Sequence, residues 1–329
     1  HAAVRVPTSP AARRVAARAD LNPGPGASQA PSLPAAPPRG LLRAMTGRAP
    51  WLAAAEAPDA AGAAALRLIA RAHARATRVP VRLAQEIARA TSLAQGIWAE
   101  ARAADDTAMF LPVLGGIVAL KVEEAAALAR GGDLYDALLD DFEPGATGAA
   151  IGAMFDRMRP RLVALREAVL GAAHQPAALA GCFAADAQLR LARELATAFG
   201  YDWRRGRLDL AVHPFSSGSG DDVRITTRVA EDDPFNCIYA TIHEVGHAAY
   251  EQGIDPAHAL TPLGQGVSMG VHESQSRIYE NQIGRGAAFT RWLCARMEAN
   301  FGPLGIGGPE GLYAAVNRVR AGFVRTEAD

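Results

Sequence analysis

The sequence predicts a mainly α-helical protein with one small β-sheet placed late in the chain. Three observations carry that prediction. Apolar residues recur at helical spacing through most of the stretch from about 41 to 206. Alternation of apolar and polar residues, rich in β-branched types, is confined to 207–229. A helical pattern then returns behind Asp233-Pro234, a good N-cap and first-turn pair.

Residues 1–40 are rich in Pro, Ala and Gly with little periodicity, and predict a disordered or wrongly translated segment. No apolar h-region of a signal peptide is present there. The chain opens on His1 and ends at "FVRTEAD" without a helix stop, so a partial sequence is expected. Leu66, Ile69 and His73 then keep a helical rhythm, and Leu83, Ile87, Ala90, Ala94 and Ile97 hold one after Pro80. "FLPVLGGIVALKVEEAAALA" (110–129) reads as a helix closed by Gly131 and Gly132. "DLYDALLDDFEPGATG" gives a short helix and a Pro-Gly turn. Phe155, Met158, Leu162, Leu165 and Val169 line one face of the next helix, and "AQLRLARELATAFG" makes another, capped by Gly200. "RLDLAVHPF" and "DVRITTRV" predict a small antiparallel sheet of two or three strands joined through a turn at "SSGSGD". Val223, Ile225, Thr227 and Val229 are expected on one face of it.

Composition bounds the function classes. Half of the 329 residues are apolar and formal net charge is zero, which gives no footing for nucleic acid or an anionic membrane. The longest apolar run, "AMFLPVLGGIVAL", falls short of the ~20 residues a membrane helix needs. Cys182, Cys237 and Cys294 lie far apart in no CxxC pairing, and predict a reducing, cytoplasmic setting. Lys121 is the only lysine; arginine carries nearly all the positive charge, a sign of coding bias that lowers the weight of every Arg pattern.

Five of the eight histidines fall between 213 and 272. In "HEVGH", His243 and His247 stand one helical turn apart and share a face, so both imidazoles reach one ion. Glu244 is turned about 100° around the helix, where it addresses a water held by that ion without competing as a ligand. Two histidines four apart on an Ala-rich helix also arise by chance, so a third ligand decides between the readings. Downstream, "SMGVHESQSRIYENQIGR" (268–285) predicts a second helix carrying His272 and Glu273, and the Gly- and Pro-rich link allows it to return antiparallel. The spacing leaves both His272 and Glu273 open as the third ligand. His73, His174 and His258 have no partner ligands nearby in sequence, and the scattered cysteines read as small apolar core residues.

"HPF" (213–215), "DVRITTR" (222–228), "HEVGHAAYEQG" (243–253) and "GVHESQSRIYEN" (270–281) together resemble the thermostable carboxypeptidase family, zinc metallocarboxypeptidases related to carboxypeptidase Taq. "YDALLDDFEPG" (135–145) resembles its helical N-terminal region, and "VRTEAD" (324–329) its IRxxAD motif. The resemblance implies a gluzincin-like helical metallopeptidase with the sheet beside the HExxH helix. It also implies zinc, or cobalt, on His243, His247 and Glu273, with Glu244 as general base and His272 lining the site. Asp222, Arg224 and Thr226 fill a DxRxT motif whose strand borders the cleft; Arg224 there serves either the substrate or the site's ion pairs. Arg325 falls in the motif tied to substrate recognition, where a guanidinium suits a terminal carboxylate. The implied substrates are peptides with a free C-terminal carboxylate, and the implied assembly is a homodimer.

On this reading the chain divides into 1–40, a helical region over 41–206 and a zinc-binding catalytic region over 207–329. The family's later GxxQDxHW-type motif and closing helices have no counterpart. Two rival expectations stand beside the carboxypeptidase: an endo-acting zinc oligopeptidase, and a truncated metal-binding fragment without activity.

Overall fold

A computed structural model describes residue 57 and residues 59–320 apart from 212. Residues 1–40 and Arg325, both subjects of expectations above, lie outside the described residues. The described chain is mostly helical, in the order α1 (Ala60–Arg78), α2 (Val81–Ala104), α3 (Thr107–Ala129), α4 (Leu134–Leu139), α5 (Gly148–Leu170) and α6 (Ala185–Ala198). Three short strands follow, β1 (Leu208–Leu210), β2 (Ser216–Ser219) and β3 (Asp222–Thr227). Then come α7 (Pro234–Gln252), α8 (Met269–Arg277) with a π-helical continuation over Ile278–Ile283, α9 (Ala287–Phe301) and α10 (Gly308–Val316). No described helix is long and apolar enough to cross a membrane.

The predicted start at Asp233-Pro234 operates. Asp233 accepts a hydrogen bond from the Phe235 N–H at 3.1 Å with Pro234 at the first helical position, and Gly253 ends α7. Ser268 caps α8 by accepting from Val271. Arg130 takes the left-handed conformation that ends α3, one residue earlier than the predicted Gly131–Gly132 stop.

The sheet corrects the sequence reading in one respect: it is mixed, in the order β1-β3-β2. β1 runs parallel to β3, with Leu208 opposite Ile225, and the segment read as a turn is itself β2, antiparallel to β3 with Ser216 opposite Ile225. The link 211–215, which contains Pro214, carries the chain past β3 to its other edge, so one long alternating run becomes a short strand and a crossover. Backbone pairing, which takes no account of side-chain polarity, then recruits the Ser/Gly segment. The shared face turns inward: Val223, Ile225 and Thr227 are fully buried and Val229 packs beside them.

α7 is the hub. Leu191 and Leu195 of α6, Ile238 and Ile242 of α7, Leu293 and Met297 of α9, and Leu312 of α10 make one core. On the other side Val223 and Ile225 of β3 pack with Cys237, Val245 and Ala248 of α7. A helix enclosed this way buries apolar residues around most of its circumference. Buried hydroxyls pin it to the sheet: Thr241 Oγ1 donates to the Cys237 carbonyl at 2.7 Å, and Thr227 Oγ1 donates to the same oxygen at 3.2 Å.

The N-terminal helices form a smaller cluster around Val79, Leu83 and Leu128. The buried Glu124 of α3 joins it to α1 by accepting from Arg75 at 3.2 Å and from Lys121 at 2.7 Å. The apolar stripe predicted on α5 is helical, yet Phe155, Met158, Leu162 and Leu165 are all exposed, so no described element covers it.

Candidate metal centre

α7 and α8 pack against each other at a glycine. A Cβ on Gly246 would stand 2.5 Å from the Cα of Ser276, so a side chain there forces the helices apart. The close approach brings α8 over the histidine face of α7. His243 Nε2 lies 3.6 Å and His247 Nε2 3.2 Å from Glu273 Oε2, and ligand atoms of the three residues lie within 4.8 Å of one another. Two imidazole nitrogens and a carboxylate oxygen at this spacing match the donors of a three-ligand catalytic zinc site. Of the two candidates left open by spacing, Glu273 is the one whose carboxylate converges with the two histidines among the described residues.

Several contacts hold Glu273 in place. Its Oε1 accepts from Arg277 Nε at 2.8 Å and its Oε2 from Ser276 Oγ at 3.0 Å. The N-terminus of α8 is tied to the N-terminal helices: the Met269 N–H donates to the Phe142 carbonyl at 2.8 Å, and the Gly270 N–H to Glu143 Oε2 at 2.9 Å. A carboxylate at that end suits the helix dipole. The "DDFEPG" loop thus positions the helix that bears a ligand.

The electrostatics fit a cation. Burial raises the Glu273 carboxyl, but His247, His243, Arg277 and Ser276 outweigh it and hold its pKa at about 2. For His243 burial pulls the pKa down, while Glu280, Glu244 and Glu273 together push it above the usual imidazole value. His247 falls below that value, through burial first and then the neighbouring His243 and His272. Glu244 is buried on the same helix as His243 and His247.

His272 sits beside this cluster. Its Nδ1 lies 2.6 Å from His247 Nδ1 and its Nε2 2.9 Å from Glu251 Oε1, and its ring stacks on Tyr250 with centroids 4.6 Å apart. Both nitrogens face protein groups, His247 and Glu251. Arg224 pairs in two-pronged fashion with Asp222, at 2.8 and 2.7 Å. Both groups are exposed, and Arg224 alternates with Val223 and Ile225, so it projects from the face of β3 opposite α7.

Residues 46–329 match the family described as Carboxypeptidase Taq (M32) metallopeptidase. The chain belongs to this family. It is 44% identical over 272 residues to thermostable carboxypeptidase 1 of Thermus thermophilus, covering 79% of this chain and 53% of that protein. It is 36% identical over 245 residues to carboxypeptidase 1 of Bacillus subtilis, covering 72% of this chain and 48% of the relative. The structure of an M32 carboxypeptidase from Deinococcus radiodurans R1 superposes with a TM-score of 0.76 at 37% identity, covering 88% of this chain and 58% of that one. Pyrococcus furiosus carboxypeptidase gives 0.77 at 34% identity with the same coverage. The chain spans about half the length of the two sequence relatives. The expected mainly helical fold with a small sheet against the HExxH helix is the M32 architecture.

Two residues of this cluster escaped sequence reasoning. Gly246 sits between the histidines and sets the approach of α8. Glu280, 2% exposed, lies 3.0 Å from His243 Nδ1. A signal for Glu280 existed: it follows Glu273 by seven residues, two helical turns, and so returns to the same face.

Proposed function

We propose that this chain carries the metal centre of a metallocarboxypeptidase that releases single C-terminal residues from peptides. The observation that carries the proposal is the convergence of His243 Nε2, His247 Nε2 and Glu273 Oε2 beside the buried Glu244, in a chain of the M32 family. The donor set suits zinc and also accepts cobalt. When bound, the ion polarises the scissile carbonyl and acidifies water.

The chain's own residues supply the rest. Glu244 takes the proton of the attacking water and passes it to the leaving amide nitrogen, a general base turned general acid within one turnover. Enclosure between sheet and helices keeps competing water from its carboxylate and strengthens its field at the reacting atoms. Arg325 is the proposed partner of the substrate's terminal carboxylate, which a guanidinium binds with two parallel hydrogen bonds. Arg224, already paired with Asp222, is assigned to shaping the strand. The cytoplasmic setting rests on three cysteines with no disulfide among them, two of them buried. A homodimer of the whole protein remains part of the proposal.

The test is release of free amino acid from an N-blocked dipeptide, offered with a free or an amidated C-terminus to zinc- or cobalt-loaded protein and to Glu244→Gln. The expected result is turnover of the free acid alone, reduced at least about a hundredfold in Glu244→Gln. Turnover of the amidated peptide would overturn the exopeptidase assignment in favour of an endo-acting enzyme. Stoichiometric metal binding without turnover of either peptide would assign this chain a metal site and no activity of its own.

A further inference from the structure

We infer that Glu280 is a positioning residue that fixes the ring of His243 and presents its Nε2 lone pair to the metal. The inference rests on the proposed metal centre and adds a residue to which no role attaches in that reading.

The argument begins with the carboxylate. Glu280 is 2% exposed, and three groups surround it. Its Oε2 accepts from Arg277 at 3.0 Å and lies 3.0 Å from His243 Nδ1; its Oε1 accepts from Arg285 at 3.0 Å. Arg285 is held in turn, stacked 4.0 Å above the Tyr239 ring and donating to the Val316 carbonyl at 2.6 Å at the end of α10. Two guanidiniums on one buried carboxylate keep it ionised, and an ionised carboxylate only accepts. The ring nitrogen facing it therefore carries the hydrogen. A histidine with hydrogen on Nδ1 has its free electron pair on Nε2, and Nε2 is the atom that faces Glu273. The carboxylate thus selects the tautomer and the ring orientation together.

The backbone explains how one helix delivers both carboxylates. Glu273 lies in the α-helical part of the segment, and Glu280 in the π-helical part over Ile278–Ile283. π-helical turns are rare and concentrate at functional sites, where they shift the phase of the side chains that follow. Here Glu273 faces the Nε2 side of His243 and Glu280 its Nδ1 side.

The test measures metal, not turnover. Zinc and cobalt dissociation constants are determined by chelator competition for the whole chain and for Glu280→Gln and Glu280→Asp, with urea unfolding of each metal-free protein. The aspartate keeps the negative charge on a side chain one methylene shorter. Glu280→Gln is expected to weaken both metals by about 10- to 100-fold, with an altered cobalt visible spectrum, and Glu280→Asp by a smaller factor. A merely structural role predicts lower unfolding midpoints with unchanged dissociation constants, and that result overturns the inference. A measurement on the unmutated, zinc-loaded protein covers the case in which neither variant folds. Long-range proton–nitrogen correlation there should show the His243 hydrogen on Nδ1, and a hydrogen on Nε2 refutes the assignment. Failure of the unmutated chain to bind metal would instead sink the proposed function itself.

Discussion

His243 and His247 are chemically alike, four residues apart, and differ in what surrounds them. Three carboxylates offset the burial of His243 and leave its pKa above the ordinary imidazole value of 6.5, while His247 is pushed below it. Metal binding needs both rings neutral at Nε2, so a proton on His243 competes with the ion. The sign follows: at pH above the raised His243 value the competition is absent, and as pH falls through that value affinity is lost. His247 and Glu273, both shifted down, stay ready over the same window. Zinc affinity, measured by chelator competition between about pH 5.5 and 8, should fall by roughly tenfold per pH unit, beginning above 6.5. A flat profile through that interval would show that His243 does not hold the competing proton.

At the scale of elements, the site is a contact between two helices and the geometry hangs on the closest point between them. Gly246 costs α7 about 1 kcal/mol of helix propensity relative to alanine. Its replacement would recover that amount locally but would drive a Cβ to 2.5 Å from the Ser276 Cα, a backbone atom that cannot rotate away. Overpacking of this kind costs about 1–3 kcal/mol, so the clash wins. Gly246→Ala should therefore keep the far-ultraviolet signature of the helices and lose metal affinity by about tenfold or more, because Glu273 moves out while His243 and His247 stay. Unchanged affinity in that variant would mean that α8 is positioned from its Glu143 end alone. The same scale explains the mixed sheet, since β1 and β2 meet β3 through backbone pairing that their side chains do not announce.

At the largest scale, the contrast among the described residues is between enclosed elements around α7 and open ones nearer the N-terminus. α7 is covered by sheet and helices on most sides, whereas Leu111 and Val118 of α3 and Leu162 and Leu165 of α5 are each more than half exposed. Met154, Met158, Leu162 and Leu165 line one shallow groove with Arg157 and Arg161. Contiguous apolar surface of this kind associates in water. Sedimentation of the chain as it stands should show self-association that grows with concentration, and Leu162→Glu with Leu165→Glu should reduce it. A strictly monomeric chain at high concentration would contradict this reading of the surface.

The sequence by itself determined what depends on near neighbours along the chain. Helical spacing of His243 and His247, the Asp233-Pro234 start, the Gly253 stop and the shared face of β3 all follow from residues within a turn or two of each other. Even α5 was legible as an amphipathic helix, although its exposed stripe was not, because burial depends on what arrives from elsewhere. The convergence of Glu273 with the two histidines, the crossing of the chain from β1 to β2, and the placement of Gly246 and Glu280 appear only in the tertiary structure. Three of these are relations between α7 and a segment far along the chain, and helix–helix distance has no local periodicity to betray it; the strand crossing is close in sequence but is set by backbone pairing that side chains do not announce. Chemistry was readable one helix at a time; the site exists where two of them touch.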